Sequence, residues 1–116
     1  MSNNHTVVLA INDLIFETKV RATAQAMGVA VRCVRSTTEL TMQLEAGAVS
    51  LVVIDLNTVS DAIDAVRMAV AHDRSPKVLA FVSHVDLDLA QQARDAGAHD
   101  VLPRSRFVVE LPAILA

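Results

Sequence analysis

Four polar side chains in this sequence follow short apolar segments and are of the types that phosphoryl chemistry uses. Asp13 follows the first segment and Asp55 the third. Ser83 and Arg104 follow the fourth and the fifth. Carboxylates bind hard cations such as Mg²⁺ and can attack a phosphoryl group to give an acyl phosphate, while a hydroxyl and a fixed cation can hold the transferred oxygens. The four residue types therefore suit a site at which a carboxylate accepts a phosphoryl group.

The two acids would meet if the segments before Asp13 and Asp55 were neighbouring strands. Their carboxylates would then repel each other, and the pKa of one would rise, unless a cation such as Mg²⁺ neutralised them. A structural interpretation is equally open. Aspartate after a strand often forms a turn or caps a helix, Ser83 could do the same, and Arg104 could be a solvated surface charge.

Five apolar segments alternate with helical patterns along the chain. The segments comprise residues 7–11, 29–34, 49–54, 78–82 and 99–102. Nearly continuous, β-branched segments are typical of parallel strands buried on both faces, although Arg32 indicates an edge position for the second. Apolar residues recur between them at helical spacing, as at Ala62, Ala65 and Val66. The alternation predicts one α/β domain over residues 1–116, with helices on both faces of a parallel sheet and any ligand beyond the carboxyl ends of its strands.

Several residues mark features of the expected helices. Ser36 and Glu39 match a capping box, in which the serine oxygen accepts the Glu39 N–H and the Glu39 carboxylate reaches back to the cap. Val85 is expected on the apolar face of the fourth helix. Ser105 is predicted to cap the last helical segment, which Pro112 should interrupt or restart.

The composition narrows the class of protein. The chain has 116 residues, of which 53% are apolar, and it contains no Trp or Tyr. The net charge of −3, without any block of basic residues, disfavours nucleic-acid binding. Cys33 is the only cysteine, which excludes an internal disulfide and suits a reducing compartment. No stretch approaches the ~20 apolar residues of a membrane span, so a soluble, cytoplasmic protein is expected.

These residues give the sequence a resemblance to the receiver (CheY-like) domains of two-component response regulators, over essentially the whole chain. The acidic pair of that family falls on Asn12 and Asp13. Its phospho-acceptor falls on Asp55, within Val-Val-Ile-Asp-Leu-Asn, and its Thr/Ser on Ser83. Its Gly-Ala-x-Asp segment falls on residues 97–100.

The resemblance implies a flavodoxin-like, three-layer αβα sandwich with strand order 2-1-3-4-5, in which the first and fifth helices share one face. It implies a phosphoryl group on Asp55, assisted by Ser83 and Arg104. It also implies a Mg²⁺ cofactor bound by Asp13, Asp55 and the backbone carbonyl of Asn57. The partners would be a sensor histidine kinase or phosphotransfer protein and a downstream protein.

The sequence departs from the family pattern at several site positions. Asn12 replaces one acid, so Mg²⁺ should bind more weakly. Arg104 stands where the family has Lys, and its larger, planar guanidinium is not an equivalent group. Pro103 precedes this cation, whereas the family has the proline after it. Val101 occupies the position of the aromatic switch residue, so the usual hydroxyl–aromatic coupling cannot operate in its standard form.

The site residues that match the family pattern and those that depart from it leave two functions open. The first is a stand-alone receiver domain in a phosphorelay, which is not an enzyme and could form a homodimer. The alternative is a pseudo-receiver that binds proteins without being phosphorylated. Its surface would include Phe107, Val108 and Leu111, which favour docking if exposed and belong to the core if buried. A small-molecule sensor has no supporting motif, and a flavodoxin-like cofactor protein lacks the phosphate-binding donors in its first loop.

Three further side chains have the chemistry of ligands or nucleophiles but favour structural roles. His84 and His99 lie on separate loops without the spacing of metal ligands, so they are interpreted as polar loop residues. Cys33 on an edge strand is interpreted as a small apolar filler.

Overall fold

The structure is a computed structural model that describes residues 6–83 and 86–116. Its described residues contain five strands in one sheet: β1 (Thr6–Ala10), β2 (Ala30–Val34), β3 (Val49–Asp55), β4 (Lys77–Val82) and β5 (Asp100–Pro103). The spatial order is β2-β1-β3-β4-β5, and all neighbouring strands are parallel. The predicted α/β class and strand order are confirmed, and the edge position of β2 agrees with its charged residue, Arg32.

Each pair of successive strands is joined by a helix, and a fifth helix follows β5. The helices of the described chain are α1 (Leu14–Ala26), α2 (Thr37–Ala46), α3 (Ala62–Ala71), α4 (Leu87–Asp95) and α5 (Arg104–Leu115). Val85, expected on the apolar face of the fourth helix, lies outside the described residues, as does His84. No helix in the described part of the chain combines the length and apolar character needed to span a membrane.

The sheet separates two apolar layers because successive strand residues point to opposite faces. One layer contains the buried faces of α1 and α5, packed on Val7, Leu9 and Val53. The other contains α2, α3 and α4, packed on Val8 and Val52. The predicted three-layer sandwich, with the first and fifth helices together, is therefore confirmed.

The three phenylalanines all lie in the α1–α5 layer. Phe81 and Phe107 stack with ring centroids 4.5 Å apart, and Phe16 lies 5.3 Å from Phe81. Phe107 and Leu111 are buried, and Val108 is partly buried against the same core. These three apolar residues of α5 thus belong to the core rather than to an exposed docking surface.

Two expectations about α5 are wrong. The helix begins at Arg104, and its N-cap residue is Pro103, so Ser105 lies inside the first turn and does not cap it. The helix also continues through Pro112 to Leu115. A proline inside a helix costs about 3 kcal/mol, but the burial of Phe107, Leu111 and Leu115 on the sheet offsets this cost.

The capping box of α2 forms with one change. The Ser36 hydroxyl oxygen accepts the N–H of Glu39 at 3.1 Å, as predicted. The Glu39 carboxylate accepts the N–H of Arg35 at 2.6 Å, one residue before the cap. This contact fixes the loop that joins β2 to α2.

Candidate functional site

Asp55 is the last residue of β3, and its side chain is enclosed at the carboxyl edge of the sheet, with 2% of the residue exposed. One carboxylate oxygen accepts the backbone N–H of Asn57 at 3.0 Å. The other accepts the hydroxyl of Thr58 at 2.8 Å. Asp55 forms no ion pair with any residue that the structure describes. Two neutral donors therefore replace the water that a carboxylate normally binds.

Thr58 joins Asp55 to the loop that follows β1. Its hydroxyl oxygen accepts the backbone N–H of Asn12 at 3.0 Å, and the Asn12 side-chain amide donates to the Thr58 carbonyl at 3.2 Å. We call the two contacts of the hydroxyl, to Asp55 and to the Asn12 N–H, the Thr58 bridge. The sequence interpretation missed Thr58, and its only signal was a hydroxyl three residues after the acid, within reach of a local turn.

Asp13 caps α1 and also pairs with Arg104. One carboxylate oxygen accepts the N–H of Phe16 at 3.1 Å, and the other lies 3.3 Å from Nη2 of Arg104. The N–H of Phe16 lowers the pKa of Asp13 below its ordinary value of 3.8; burial opposes this effect and Arg104 adds to it. The capping interpretation of Asp13 is thus confirmed.

Arg104 has a second contact besides Asp13, so it is not simply a solvated surface charge. The central guanidinium carbon lies 4.1 Å from the centroid of the Phe16 ring. A cation above an aromatic face at this distance is attracted by the negative charge density of the ring. Arg104 is the first residue of α5, and these contacts connect that helix to the start of α1.

Ser83 and Asn57 connect the ends of β3 and β4. The backbone N–H of Ser83 donates to the Asn57 side-chain oxygen at 2.6 Å. The N–H of Leu56 donates to the carbonyl of Phe81 at 3.0 Å. Asn57 therefore uses its side chain to hold the β4 loop, and its backbone N–H to hold Asp55.

The predicted site residues all lie at the carboxyl edge of the sheet, but they form two bonded groups. The first consists of Asp55 with Asn57, Thr58 and Asn12, and Ser83 joins it through Asn57. The second consists of Asp13 and Arg104, which stacks on Phe16. Consecutive positions, Asn12 and Asp13, link the groups along the chain. The arrangement gives each carboxylate its own donors.

The donor types for Mg²⁺ are present, but in this arrangement the two carboxylates are engaged by other partners. Asp13, Asp55 and the Asn57 carbonyl supply oxygens, which Mg²⁺ prefers. Both oxygens of each carboxylate already accept hydrogen bonds, and Arg104 balances the charge of Asp13. No group of three His, Cys, Asp or Glu side chains that could hold a metal occurs within residues 6–83 and 86–116.

His99 and Cys33 have structural contacts. The backbone N–H of Val78 donates to Nδ1 of His99 at 3.0 Å, which explains the polar side chain beside β4. Cys33 is partly buried against the α1–α5 layer. Burial and a hydrogen bond to Glu17 raise the pKa of its thiol to about 11, so the thiolate is scarce at neutral pH.

Comparison of the whole structure gives many similar solved structures. A response regulator from Thermotoga maritima matches with a TM-score of 0.74 and 20% identity over 93% of this chain and 97% of its own. A CheY-like receiver domain protein from Methanospirillum hungatei JF-1 matches with a TM-score of 0.77 and 13% identity, over 98% of this chain and 94% of its own. A phosphorylated cyanobacterial phytochrome response regulator matches with a TM-score of 0.76 and 15% identity, over 95% of this chain and 87% of its own. No family model and no curated protein matches the sequence.

The chain therefore has the fold of CheY-like response-regulator receiver domains. At these identities the likeness establishes the fold, and function depends on the site itself.

Proposed function

We propose that residues 1–116 form one receiver-like signalling domain in which Asp55 accepts a phosphoryl group and protein partners read the result. The observation that carries this proposal is the buried carboxylate of Asp55 at the end of a central strand, held by neutral donors. Burying a carboxylate without a cation costs stability, and an apolar residue would fill the same position at lower cost. The acid is thus best explained by chemistry that needs a carboxylate.

The proposed reaction is a simple transfer that requires no added oxidant or proton. A carboxylate oxygen of Asp55 bonds to phosphorus as the bond from phosphorus to the donor's leaving oxygen or nitrogen breaks, and the leaving group takes the electron pair. Arg104, released from Asp13, would balance the incoming anion, and Ser83 would donate to it. A guanidinium is suited to this role because it can donate two parallel hydrogen bonds to a phosphoryl group.

Partners and setting follow from the same proposal. A sensor histidine kinase or phosphotransfer protein would supply the phosphoryl group, and a downstream protein would read the signal. The domain itself could form a homodimer. The domain would act in the cytoplasm as a signalling module, not as an enzyme. One structurally similar protein, the cyanobacterial phytochrome regulator, is itself phosphorylated, which supports phosphorylation of a domain with this fold. Mg²⁺ enters only as a weak cofactor because Asn12 is uncharged.

Intact-mass measurement tests the acceptor directly. Incubation of the full chain with acetyl phosphate and Mg²⁺ should add one phosphoryl group, with acetate as the leaving group. The Asp55→Asn variant should gain none, because an amide oxygen is a far weaker nucleophile. Asp73→Asn is a matched control, since Asp73 lies in an exposed loop before β4 and should leave the mass gain unchanged. An unmodified wild-type mass, or an equal gain in Asp55→Asn, would rule out Asp55 as the acceptor.

A second candidate function is protein binding independent of phosphorylation. The closed contacts of Asp55 and the Asp13–Arg104 pair favour it, because neither carboxylate is free in this arrangement. The surface would involve α4 and α5 through exposed Leu87 and Val109, since Phe107 and Leu111 are core residues. A partner recovered equally with wild type and Asp55→Ala, but lost with Val109→Lys, would favour this function.

A further inference from the structure

The Thr58 hydroxyl is placed between the proposed acceptor and the β1–α1 loop. Its oxygen lies 2.8 Å from a carboxylate oxygen of Asp55 and 3.0 Å from the backbone nitrogen of Asn12. A hydroxyl has one proton to donate and two lone pairs that accept. The proton goes to Asp55 and one lone pair receives the Asn12 N–H, so both contacts can form at once.

These contacts oppose any reaction at Asp55. A hydrogen bond to a carboxylate oxygen stabilises its negative charge and makes it less nucleophilic. The side-chain amide of Asn12 holds the Thr58 carbonyl as well, so Thr58 is fixed through its side chain and its backbone. With 2% of Asp55 exposed, a phosphoryl donor can reach the carboxylate only after this loop moves.

We propose that Thr58 is a positioning residue that keeps Asp55 closed, and that release of the Thr58 bridge sets the rate at which the acceptor reacts. This inference rests on the proposed function and assigns its control to one hydroxyl. Asn12 takes part because it is the residue that the hydroxyl connects to Asp55. The amide at position 12 thus has a structural use that an acid could not provide, because a carboxylate cannot donate to the Thr58 carbonyl.

The test compares wild type with Thr58→Val and Thr58→Ser in the full chain. Valine keeps the shape of threonine without the hydroxyl, while serine keeps the hydroxyl. With acetyl phosphate, Thr58→Val should gain a phosphoryl group about tenfold faster than wild type, the factor given by one hydrogen bond of about 1.4 kcal/mol. Thr58→Ser should react at close to the wild-type rate.

A second readout does not depend on phosphorylation. The N–H of Asn57 is bonded to the other oxygen of Asp55 and does not contact the Thr58 hydroxyl. If the bridge holds the carboxylate in place, exchange of this amide with deuterium should be several-fold faster in Thr58→Val than in wild type or Thr58→Ser.

The outcomes separate the two proposals. Phosphorylation at equal rates in all three proteins, with equal Asn57 exchange, overturns the Thr58 bridge and leaves the acceptor function standing. Faster Asn57 exchange in Thr58→Val without any mass gain supports the positioning of Asp55 by the bridge, but overturns the acceptor function and with it the control of its rate. Unchanged exchange and unchanged masses overturn both.

Discussion

Two carboxylates, Glu17 and Asp55, are the buried ionisable side chains of the described chain, and they are held in different ways. Glu17 pairs with Arg35 at 2.7 Å, whereas Asp55 has only the Asn57 N–H and the Thr58 hydroxyl. A buried charge is stabilised most by a cation. The charge of Asp55 is therefore expected to lower the stability of the fold, in return for a carboxylate that can react.

The Asp55→Asn variant should be more stable than wild type at pH 7. An asparagine oxygen can still accept the Asn57 N–H, its amide can donate to Thr58, and the buried charge is removed. We expect the free energy of unfolding to rise by about 1 kcal/mol, which corresponds to a few degrees in Tm. Thermal unfolding followed by circular dichroism measures this, with Asp73→Asn as the control. A lower Tm in Asp55→Asn would show that the charge itself stabilises the fold.

At the scale of elements, the turn between α4 and β5 depends on Gly97. Its φ is +106°, a region that side chains disfavour, and a Cβ there would lie 3.0 Å from Cγ1 of Val70. Val70 belongs to α3, so this glycine sets the approach of the turn to a neighbouring helix. Gly28, after α1, also has positive φ, at +73°, but a Cβ there would meet nothing within 4 Å.

Replacing each glycine by alanine separates strain from crowding. Gly28→Ala should lower the free energy of unfolding by about 1 kcal/mol through backbone strain alone. Gly97→Ala should cost about 2 kcal/mol or more, because the new methyl group also crowds Val70. Urea denaturation of both variants gives the difference, and equal costs would contradict a role for the Val70 contact.

The elements themselves were largely predictable, while their exact ends were less so. The apolar segments of residues 49–54 and 78–82 are nearly continuous, so β3 and β4 could be predicted from them. The start of α5 was misplaced because Ser105 has the chemistry of a cap, whereas Pro103 already has the extended backbone that precedes a helix. The continuation through Pro112 depends on the burial of α5 against the sheet, which local sequence does not reveal.

At the scale of the whole molecule, Arg35 connects four elements at one end of the sheet. Its guanidinium donates to Glu17 of α1 and to the carbonyl of Ile11, just after β1. Its backbone N–H donates to Glu39 of α2, and it directly follows β2. Burial raises the pKa of Glu17, but the Cys33 thiol and Arg35 outweigh this, so the pKa lies below its ordinary value of 4.5.

The Glu17–Arg35 pair should make global stability depend on pH. Because the folded pKa of Glu17 is depressed, the pair stabilises the fold above the unfolded pKa, and this contribution is lost as pH falls through the folded pKa. Arg35→Met leaves a buried carboxylate without its cation, which should cost about 2 kcal/mol at pH 7, reduced from the value for a fully buried pair because Arg35 is half exposed.

The cost of Arg35→Met should shrink as pH falls, because loss of the guanidinium raises the pKa of Glu17 and the variant takes up a proton at a higher pH than wild type does. Urea denaturation of wild type and variant between pH 7 and about pH 4 measures this trend. Arg67→Met removes the exposed pair with Asp64 and should cost less than about 0.5 kcal/mol at either pH. A cost for Arg35→Met that does not change with pH would show that Glu17 does not sense the guanidinium.

The candidate site was predictable in its residue types but not in its contacts. Asp13, Asp55, Ser83 and Arg104 could be placed at one edge because strand ends converge there. Thr58 could not, since a hydroxyl in a loop has many local partners. Asp13 and Arg104 are 91 positions apart, and their pairing depends on where α5 starts on the sheet.

The grouping of all three phenylalanines in one apolar layer has a spectroscopic consequence. With no Trp or Tyr in the chain, these rings are the only aromatic side-chain chromophores apart from histidine, and they lie between α1, β4 and α5. A near-ultraviolet circular dichroism signal would therefore report on that half of the molecule. The aliphatic half around α2, α3 and α4 would give no near-ultraviolet signal. Loss of ellipticity on heating could then precede or follow the melting of the other layer without revealing it.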